Sequence, residues 1–248
     1  ALYRVHGSPD LSKLERLKKV FQRFDIPVSP NSLSNSGQFN KVLKSIENLK
    51  NKNQLQIIML RSMALATYET DNQGHFGLGA KYYSHFTSPI RRYPDLVTHR
   101  ALKHELHANL GIRPSPNSNP SMLMAEYLSE QERRAEKAES ESINLMKVNF
   151  MEKFIGQTME GQIVSTENNG FRVELLPYEI DWFIPVDALK DDNYIFDEIN
   201  LVLQGRRTKR ILEAEDKVEL RLTRADTLHR LMEFDILGYS PKPPSSQN

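Results

Sequence analysis

Thr87, Ser88, Arg91 and Arg92 fall within six residues, in the stretch HFTSPIRRYPDLVTHR that runs from His85 to Arg100. Two hydroxyl residues followed by Pro89 have the pattern of a helix start, with Thr87 or Ser88 as N-cap and proline at the first helical position. That reading puts both arginines in the first turn, where the helix already carries about half a positive charge. Cations there are unfavourable unless an anion comes to meet them. Backbone N–H groups, two hydroxyls and two guanidiniums together match a phosphate, because arginine can grip two oxygens at once. The plainer alternative is that one arginine pairs with Asp95 or a more distant carboxylate and holds the fold together.

Other charged groups divide into candidates and decoys. The cluster GRRTKR at 205–210 has no acid inside it. Its Arg206, Arg207 and Arg210 could track a phosphate backbone, or decorate a solvated turn. Arg133, Arg134 and Lys137 lie among Glu130, Glu132, Glu136, Glu139 and Glu141, which suits a solvated helix face laced with i,i+4 pairs. HELH at 104–107 is not the zinc-binding His-Glu-x-x-His, because Ala108 follows it. DDNYIFDE at 191–198 gathers four acids in what reads as a solvated turn.

The elements that must position these groups fall into two kinds. Up to about residue 155 the apolar spacing is helical: Leu11 to Phe24, then Phe39 to Leu49, then LQIIMLRSMALATY from Leu55 to Tyr68, which is apolar nearly all round and predicts a buried helix. Glycines 74, 77 and 79 break the pattern and predict a loop leading to the helix at Ser88, which Pro94 breaks or restarts. GIRPSPNSNPS at 111–121 reads as a surface loop. A long charged helix over about 122–155 follows, with Leu128, Ala135, Ala138, Leu145, Phe150 and Phe154 on its inner face. From Gly156 the alternation has period two, with a hairpin signal at Glu-Asn-Asn-Gly and about five short strands, as in a small OB-type barrel.

Composition narrows the partners. The 248 residues carry 33 Lys and Arg against 32 Asp and Glu, so any nucleic-acid role must come from local clusters. Without cysteine there are no disulfides or thiolate zinc sites, which suits a reducing cytoplasm. No apolar run reaches membrane-spanning length. The opening ALYRVHGSPD has no initiator Met and no secretory signal, and reads as a chain cut in mid-domain.

The stretch GHFGLGAKYYSHFTSPIRRYPDLVTHR resembles the signature of the ribonuclease II and ribonuclease R family, Mg²⁺-dependent exoribonucleases that degrade single-stranded RNA from the 3′ end. The resemblance extends from ALYRVHGSPDLSKLERL to SEQERRAEKAES, and leans to the ribonuclease R branch. Residues 156–237 resemble the S1 RNA-binding domain that follows the catalytic domain in that family. The implied fold class is α+β: a mostly helical C-terminal part of the RNB catalytic domain over 1–155, a five-stranded OB-fold barrel over 156–237, and a disordered tail over 238–248.

By that resemblance the anion is the RNA phosphate at the cleavage point. Arg91 is the arginine that stabilises it, Glu139 aligns with a glutamate implicated in RNA contact or catalysis, and Arg92 supports the phosphate or the fold. Tyr82, Tyr83 and His85 become wall residues of the RNA channel, with core packing the expected role of at least one of them. The family's Asp-rich metal motif has no counterpart here, since Ile199 and Asn200 occupy the places required after Asp191 and Asp197. The Mg²⁺ ligands are therefore expected upstream, the chain is expected to be a C-terminal piece, and alone it should cut RNA poorly or not at all. In the RNA-binding domain the usual aromatic and histidine places fall on Asn169, Phe171-Arg172 and Pro185. Phe171 and Trp182 could stack bases or be core, with Arg172 and GRRTKR taking more of the RNA contact. A non-catalytic RNA-binding or regulatory module is the alternative.

Overall fold

The computed structural model describes residues 2–49, 51–110, 120–176 and 178–240. Most of the expected surface loop, 111–119, and of the expected tail, 241–248, lies outside the described residues. In chain order come β1 (Tyr3–Val5), α1 (Leu11–Arg23), α2 (Pro30–Leu33), α3 (Ser36–Ser45), α4 (Lys52–Ser62), β2 (Thr67–Glu69), α5 (Tyr93–Asn109) and α6 (Met122–Met151). Among the described residues eight strands then follow: β3 (Thr158–Glu167), β4 (Gly170–Leu175), β5 (Ile180–Pro185), β6 (Tyr194–Asp197), β7 (Val202–Gly205), β8 (Ile211–Leu212), β9 (Lys217–Asp226) and β10 (Leu231–Ser240).

Local chemistry explains the helix ends. Asp10 caps α1 by accepting the Ser12 backbone N–H at 2.8 Å. At the far end Asp25 adopts a left-handed φ of 56°, and the Ile26 N–H closes back on the Phe21 carbonyl at 2.9 Å. Between the caps Leu14, Leu17, Val20 and Phe21 are buried at helical spacing. Ser121 caps α6 through the Met124 N–H.

Three expectations need correction. The Leu55–Tyr68 helix ends at Ser62, and Tyr68 belongs to β2, because its side of the chain pairs with β1 in the register Arg4↔Tyr68. The helix expected at Ser88 begins at Tyr93, so Pro94 sits in its first turn, where a missing N–H breaks no helical bond. The expected inner face of α6 is also displaced. Ala135, Ala138, Leu145 and Phe150 are exposed, whereas Ala125, Ser129, Val148 and Met151 are buried.

The chain divides into two compact units, residues 1–15, 29–42 and 61–138 in one, and 16–28, 43–60 and 139–248 in the other. In the first, Leu2, Tyr68, Val97 and Ala125 form a small buried cluster with Met124 and Leu128 packed on it. Buried Ser129 ties α6 to β2, accepting the Tyr68 N–H at 2.8 Å and donating to the Ala125 carbonyl.

The second unit is built on a curled five-stranded sheet in the order β10-β9-β3-β4-β5, all antiparallel. Strand alternation fills its core: Phe171, Val173 and Leu175 from β4 meet Val218, Leu220 and Leu222 from β9. Gly170 is required by close approach, since a Cβ there would lie 2.1 Å from the Ile184 carbonyl oxygen. Among the described residues the edge strands β5 and β10 do not pair, so the barrel stays half open. The Trp182 Nε1–H donates across that opening to the Met232 carbonyl at 3.2 Å. The strand count rises above the five expected because β6-β7-β8 form a separate three-stranded sheet. β10 also runs to Ser240, past the expected domain end at 237.

Candidate nucleic-acid interface

The segment from Ser88 to Arg92 is a turn rather than a helix start. The Ser88 carbonyl accepts the N–H groups of Arg91 at 3.3 Å and Arg92 at 3.0 Å. The Ser88 N–H itself donates to Asp95 Oδ1 at 2.7 Å, reaching forward into the first turn of α5. Asp95 is fully buried. Arg92 closes the same carboxylate from the other side: Nη2 donates to Oδ1 at 2.9 Å, and Nε lies 2.9 Å from Oδ2, within charge attraction but off the angle of a hydrogen bond. Burial alone would raise the Asp95 pKa, but the Ser88 N–H and the Arg92 guanidinium hold it below the ordinary carboxylate value.

The two arginines therefore differ. Arg92 has its anion already, which is the plainer alternative that the sequence left open. The Arg91 side chain is exposed and, among the described residues, makes no hydrogen bond or ion pair. Thr87 is exposed and Ser88 half-buried, and neither hydroxyl has a partner among the described residues. The fitted phosphate site thus reduces to Arg91 and two free hydroxyls on a turn that Asp95 closes.

Beside that turn runs a chain of rings. Tyr68 meets His85 at 5.6 Å between centroids, His85 meets Tyr83 at 5.8 Å, Tyr83 meets His75 at 5.1 Å, and His75 meets His6 at 4.9 Å, mostly edge to face. Tyr83 and His85 touch within this row, while Tyr82 is exposed with Lys81 over its ring at 5.5 Å. The glycine loop supports this row. The Gly77 N–H donates to His6 Nδ1 at 2.8 Å, and a Cβ at Gly77 would come within 2.9 Å of that nitrogen. Gly79 has a left-handed φ of 63° and ends the short 3-10 turn Phe76–Leu78.

Sequence reasoning missed the support behind His85. Tyr68 Oη lies 2.8 Å from His85 Nδ1 and 3.2 Å from Glu132 Oε1, and Arg4 sits 2.5 Å from Glu132 Oε2 and 4.7 Å above the Tyr68 ring. The phenol gives its one proton to Glu132, so His85 Nδ1 donates to the phenol oxygen. Burial, then Glu132, raises the Tyr68 pKa. Burial and the charges of Arg92 and Arg4 lower that of His85. No local spacing could have found this group, because Arg4, Tyr68 and Glu132 come from three distant parts of the chain.

Glu139 stands exposed on α6 with no partner among the described residues. HELH lies on α5 as a helix-surface pair, with His104 Nδ1 3.8 Å from Glu105.

In the second unit the expected contacts sort differently. Phe171 is fully buried in the barrel, so its ring is core and offers no face to a base. Arg172 lies loosely between Glu167 at 3.7 Å and Asp181 at 3.5 Å, and Lys147 also pairs with Asp181. A cleft of about 860 Å³ opens beside them, lined by Arg172, Trp182, Phe183, Lys190 and Arg230, with Asp181 and Asp235 on the same walls.

The turn carrying GRRTKR is held by the acids that looked solvated. Asp192 accepts the Arg207 N–H at 3.0 Å, the Thr208 N–H at 2.6 Å and the Thr208 hydroxyl at 2.7 Å, and those bonds, led by the Thr208 N–H, pull its pKa far down. Asp191 accepts from Arg210 at 2.5 Å and from the hydroxyls of Tyr194 and Tyr239 at 3.1 Å each, while Arg207 Nη2 donates to the Asp191 carbonyl. Arg207 and Arg210 are structural. Arg206 and Lys209 are exposed without a side-chain partner among the described residues.

These residues do not fit the family's Mg²⁺. Asp191, Asp192 and Asp197 are each engaged in local hydrogen bonds, Asp197 by the Asn200 N–H and amide. No group of three His, Asp or Glu among the described residues could hold a metal ion. No helix among them is long and apolar enough to cross a membrane.

Known proteins match both halves. The RNB domain model matches residues 1–108 and the S1 RNA binding domain model residues 152–227. Ribonuclease R of Aquifex aeolicus is 35% identical over 238 residues, which are 95% of this chain and 33% of the relative. The structure of Mycoplasma genitalium ribonuclease R in complex with ribose methylated single-stranded RNA is 25% identical with a TM-score of 0.78, over 95% of this chain and 37% of that one. Yeast Ssd1, a pseudonuclease, is 25% identical with a TM-score of 0.61, over 82% of this chain and 26% of that one. The chain spans about a third of the length of the curated relatives it matches. With its RNB segment, its S1 domain and these relatives, the chain belongs to the ribonuclease R family.

Proposed function

We propose that the whole protein is a 3′→5′ hydrolytic exoribonuclease that shortens single-stranded RNA to nucleoside 5′-monophosphates. This chain contributes the arginine that meets the scissile phosphate and an RNA-binding domain. In this division residues 1–155 are the C-terminal part of the RNB domain, and the RNA-binding domain runs from 156 to the end of β10 at 240. The observation that carries the reading is the contrast on one turn: Arg92 is neutralised by buried Asp95, and Arg91 is exposed and unpaired among the described residues.

A guanidinium so placed neutralises charge that builds on the phosphoryl oxygens as the bond breaks, and its fixed geometry spares reorganisation at that moment. Tyr83 and His85 flank the RNA, held by the ring contacts and by Tyr68. In the RNA-binding domain Arg206 and Lys209 contact RNA phosphates, with Arg172 a weaker participant because two carboxylates already face it. Glu139 is free to meet a ribose or base. The family's reaction depends on a metal for which the described residues have no site, so the chain alone cuts RNA poorly or not at all.

The test uses a 5′-labelled single-stranded oligoribonucleotide with Mg²⁺, and compares this chain, the protein from the complete reading frame, and its Arg91→Ala variant. Stepwise 3′ shortening by the complete protein, lost in the variant, supports the reading. RNA left intact by the complete protein favours a second one, a non-catalytic RNA-binding module, to which the likeness to the pseudonuclease Ssd1 points.

A further inference from the structure

We propose that Asp95 is a positioning residue for Arg91. The inference rests on the reading of Arg91 as the phosphate-binding arginine and deepens it. Asp95 is fully buried, and its contacts are the Ser88 N–H and the Arg92 guanidinium, not the Arg91 side chain or the two free hydroxyls. Its two oxygens instead close the turn from both ends: Oδ1 takes the Ser88 N–H at 2.7 Å and Arg92 Nη2 at 2.9 Å, and Oδ2 faces Arg92 Nε at 2.9 Å. Ser88 in turn accepts the N–H groups of Arg91 and Arg92 on its carbonyl. The carboxylate, the Ser88 amide and the Arg92 guanidinium form one ring of contacts, and the Arg91 Cα is fixed by it on both sides.

Two consequences follow for RNA. The first is orientation, since a backbone tied at Ser88 and Arg92 presents Arg91 from a defined point. An arginine whose base is held loses less freedom on gripping a phosphate. The second is charge. Without the carboxylate, Arg92 would stand beside Arg91 as a second unpaired cation, and the two guanidiniums would repel each other. Asp95 absorbs one charge so that the other is both free and correctly placed. A buried carboxylate between a backbone amide and a guanidinium is also costly to leave half-satisfied, so the arrangement resists slipping to another geometry.

The test measures a preference rather than an affinity. The complete protein is titrated in EDTA, so that binding is read without turnover, with a single-stranded oligoribonucleotide and with the same oligomer carrying an uncharged methylphosphonate at its 3′-terminal linkage. The wild type should prefer the charged oligomer by about tenfold, as one charge-assisted contact gives. Arg91→Ala should abolish the preference. Asp95→Asn should reduce it to about twofold or less, and in the Arg91→Ala background should change nothing further. A merely structural role for Asp95 would weaken both oligomers equally and leave the preference intact. That result, with Arg91→Ala still losing the preference, overturns the positioning role and spares the reading of Arg91. A preference that survives Arg91→Ala refutes the reading itself. If Asp95→Asn does not fold, Arg92→Lys keeps the buried carboxylate paired but removes the planar fork. It should give an intermediate preference, and a wild-type preference there counts against the inference.

Discussion

Arg92 and Asp95 are locked together three residues apart, with Nη2 2.9 Å from Oδ1, and that pair leaves Arg91 as the arginine of the two without a partner among the described residues. The same pair separates stability from binding. Arg92→Ala strands a buried carboxylate, which costs several kcal/mol when both partners are deeply buried. Since the Arg92 side chain keeps 21% exposure, a loss of about 2–3 kcal/mol is expected in denaturant unfolding. Arg91→Ala should leave the unfolding midpoint unchanged, because its side chain has no partner to lose among the described residues.

Protonation should weaken the ring row. His85 is held below the ordinary histidine value by burial and then by Arg92 and Arg4, and His75 by burial and then by His6 and Arg4. The unfolded chain therefore takes up these protons first, near pH 6.5. Between that pH and the lower folded values the unfolded state binds more protons, so stability rises with pH there. The contribution is fully present above about pH 6.5 and is lost as pH falls through the folded values. Unfolding midpoints at pH 7.5 and 5.5 should differ in the wild type, and the difference should shrink when His75 and His85 are both changed to Gln.

Phe171 is fully buried, and this decides between base stacking and packing. Phe171→Ala should destabilise the RNA-binding domain by about 3–5 kcal/mol, the range for emptying a core phenylalanine. Thermal or chemical denaturation measures it. A variant of normal stability with selectively weakened RNA binding would return Phe171 to the interface.

Asp192 should govern the basic turn. Its removal releases the N–H groups of Arg207 and Thr208 and the Thr208 hydroxyl together. Amide hydrogen exchange at Arg207 and Thr208 should speed up in Asp192→Ala, with protection in β3 and β9 unchanged, and RNA affinity should fall through the loss of a fixed Arg206.

Much of this was legible from the sequence where short-range rules apply. Apolar spacing marked α1, the alternation marked β4 and β9, and the Glu-Asn-Asn-Gly signal marked the β3–β4 hairpin. The start of α5 was misplaced because the rule for Ser-Pro at a helix start considers neighbours alone. Here buried Asp95 takes the Ser88 N–H and turns the segment before the helix begins. The Leu55–Tyr68 stretch misled for a similar reason, since pairing of Tyr68 with Arg4 in a distant strand outweighs helical spacing. At the basic turn the sequence showed four cations and four acids but not which would join. Asp191 and Asp192 lie well before GRRTKR in the chain and reach it through the β6–β7 pairing.

The salt dependence of RNA binding tests the central claim most directly. Single-stranded RNA is titrated onto this chain and its Arg91→Ala variant across a series of salt concentrations. Each phosphate neutralised on a single strand contributes roughly 0.7 to the slope of log affinity against log salt. Loss of about that much slope in Arg91→Ala, together with weaker binding, is the predicted result. An unchanged slope and affinity would mean that Arg91 meets no RNA phosphate, and would contradict the account.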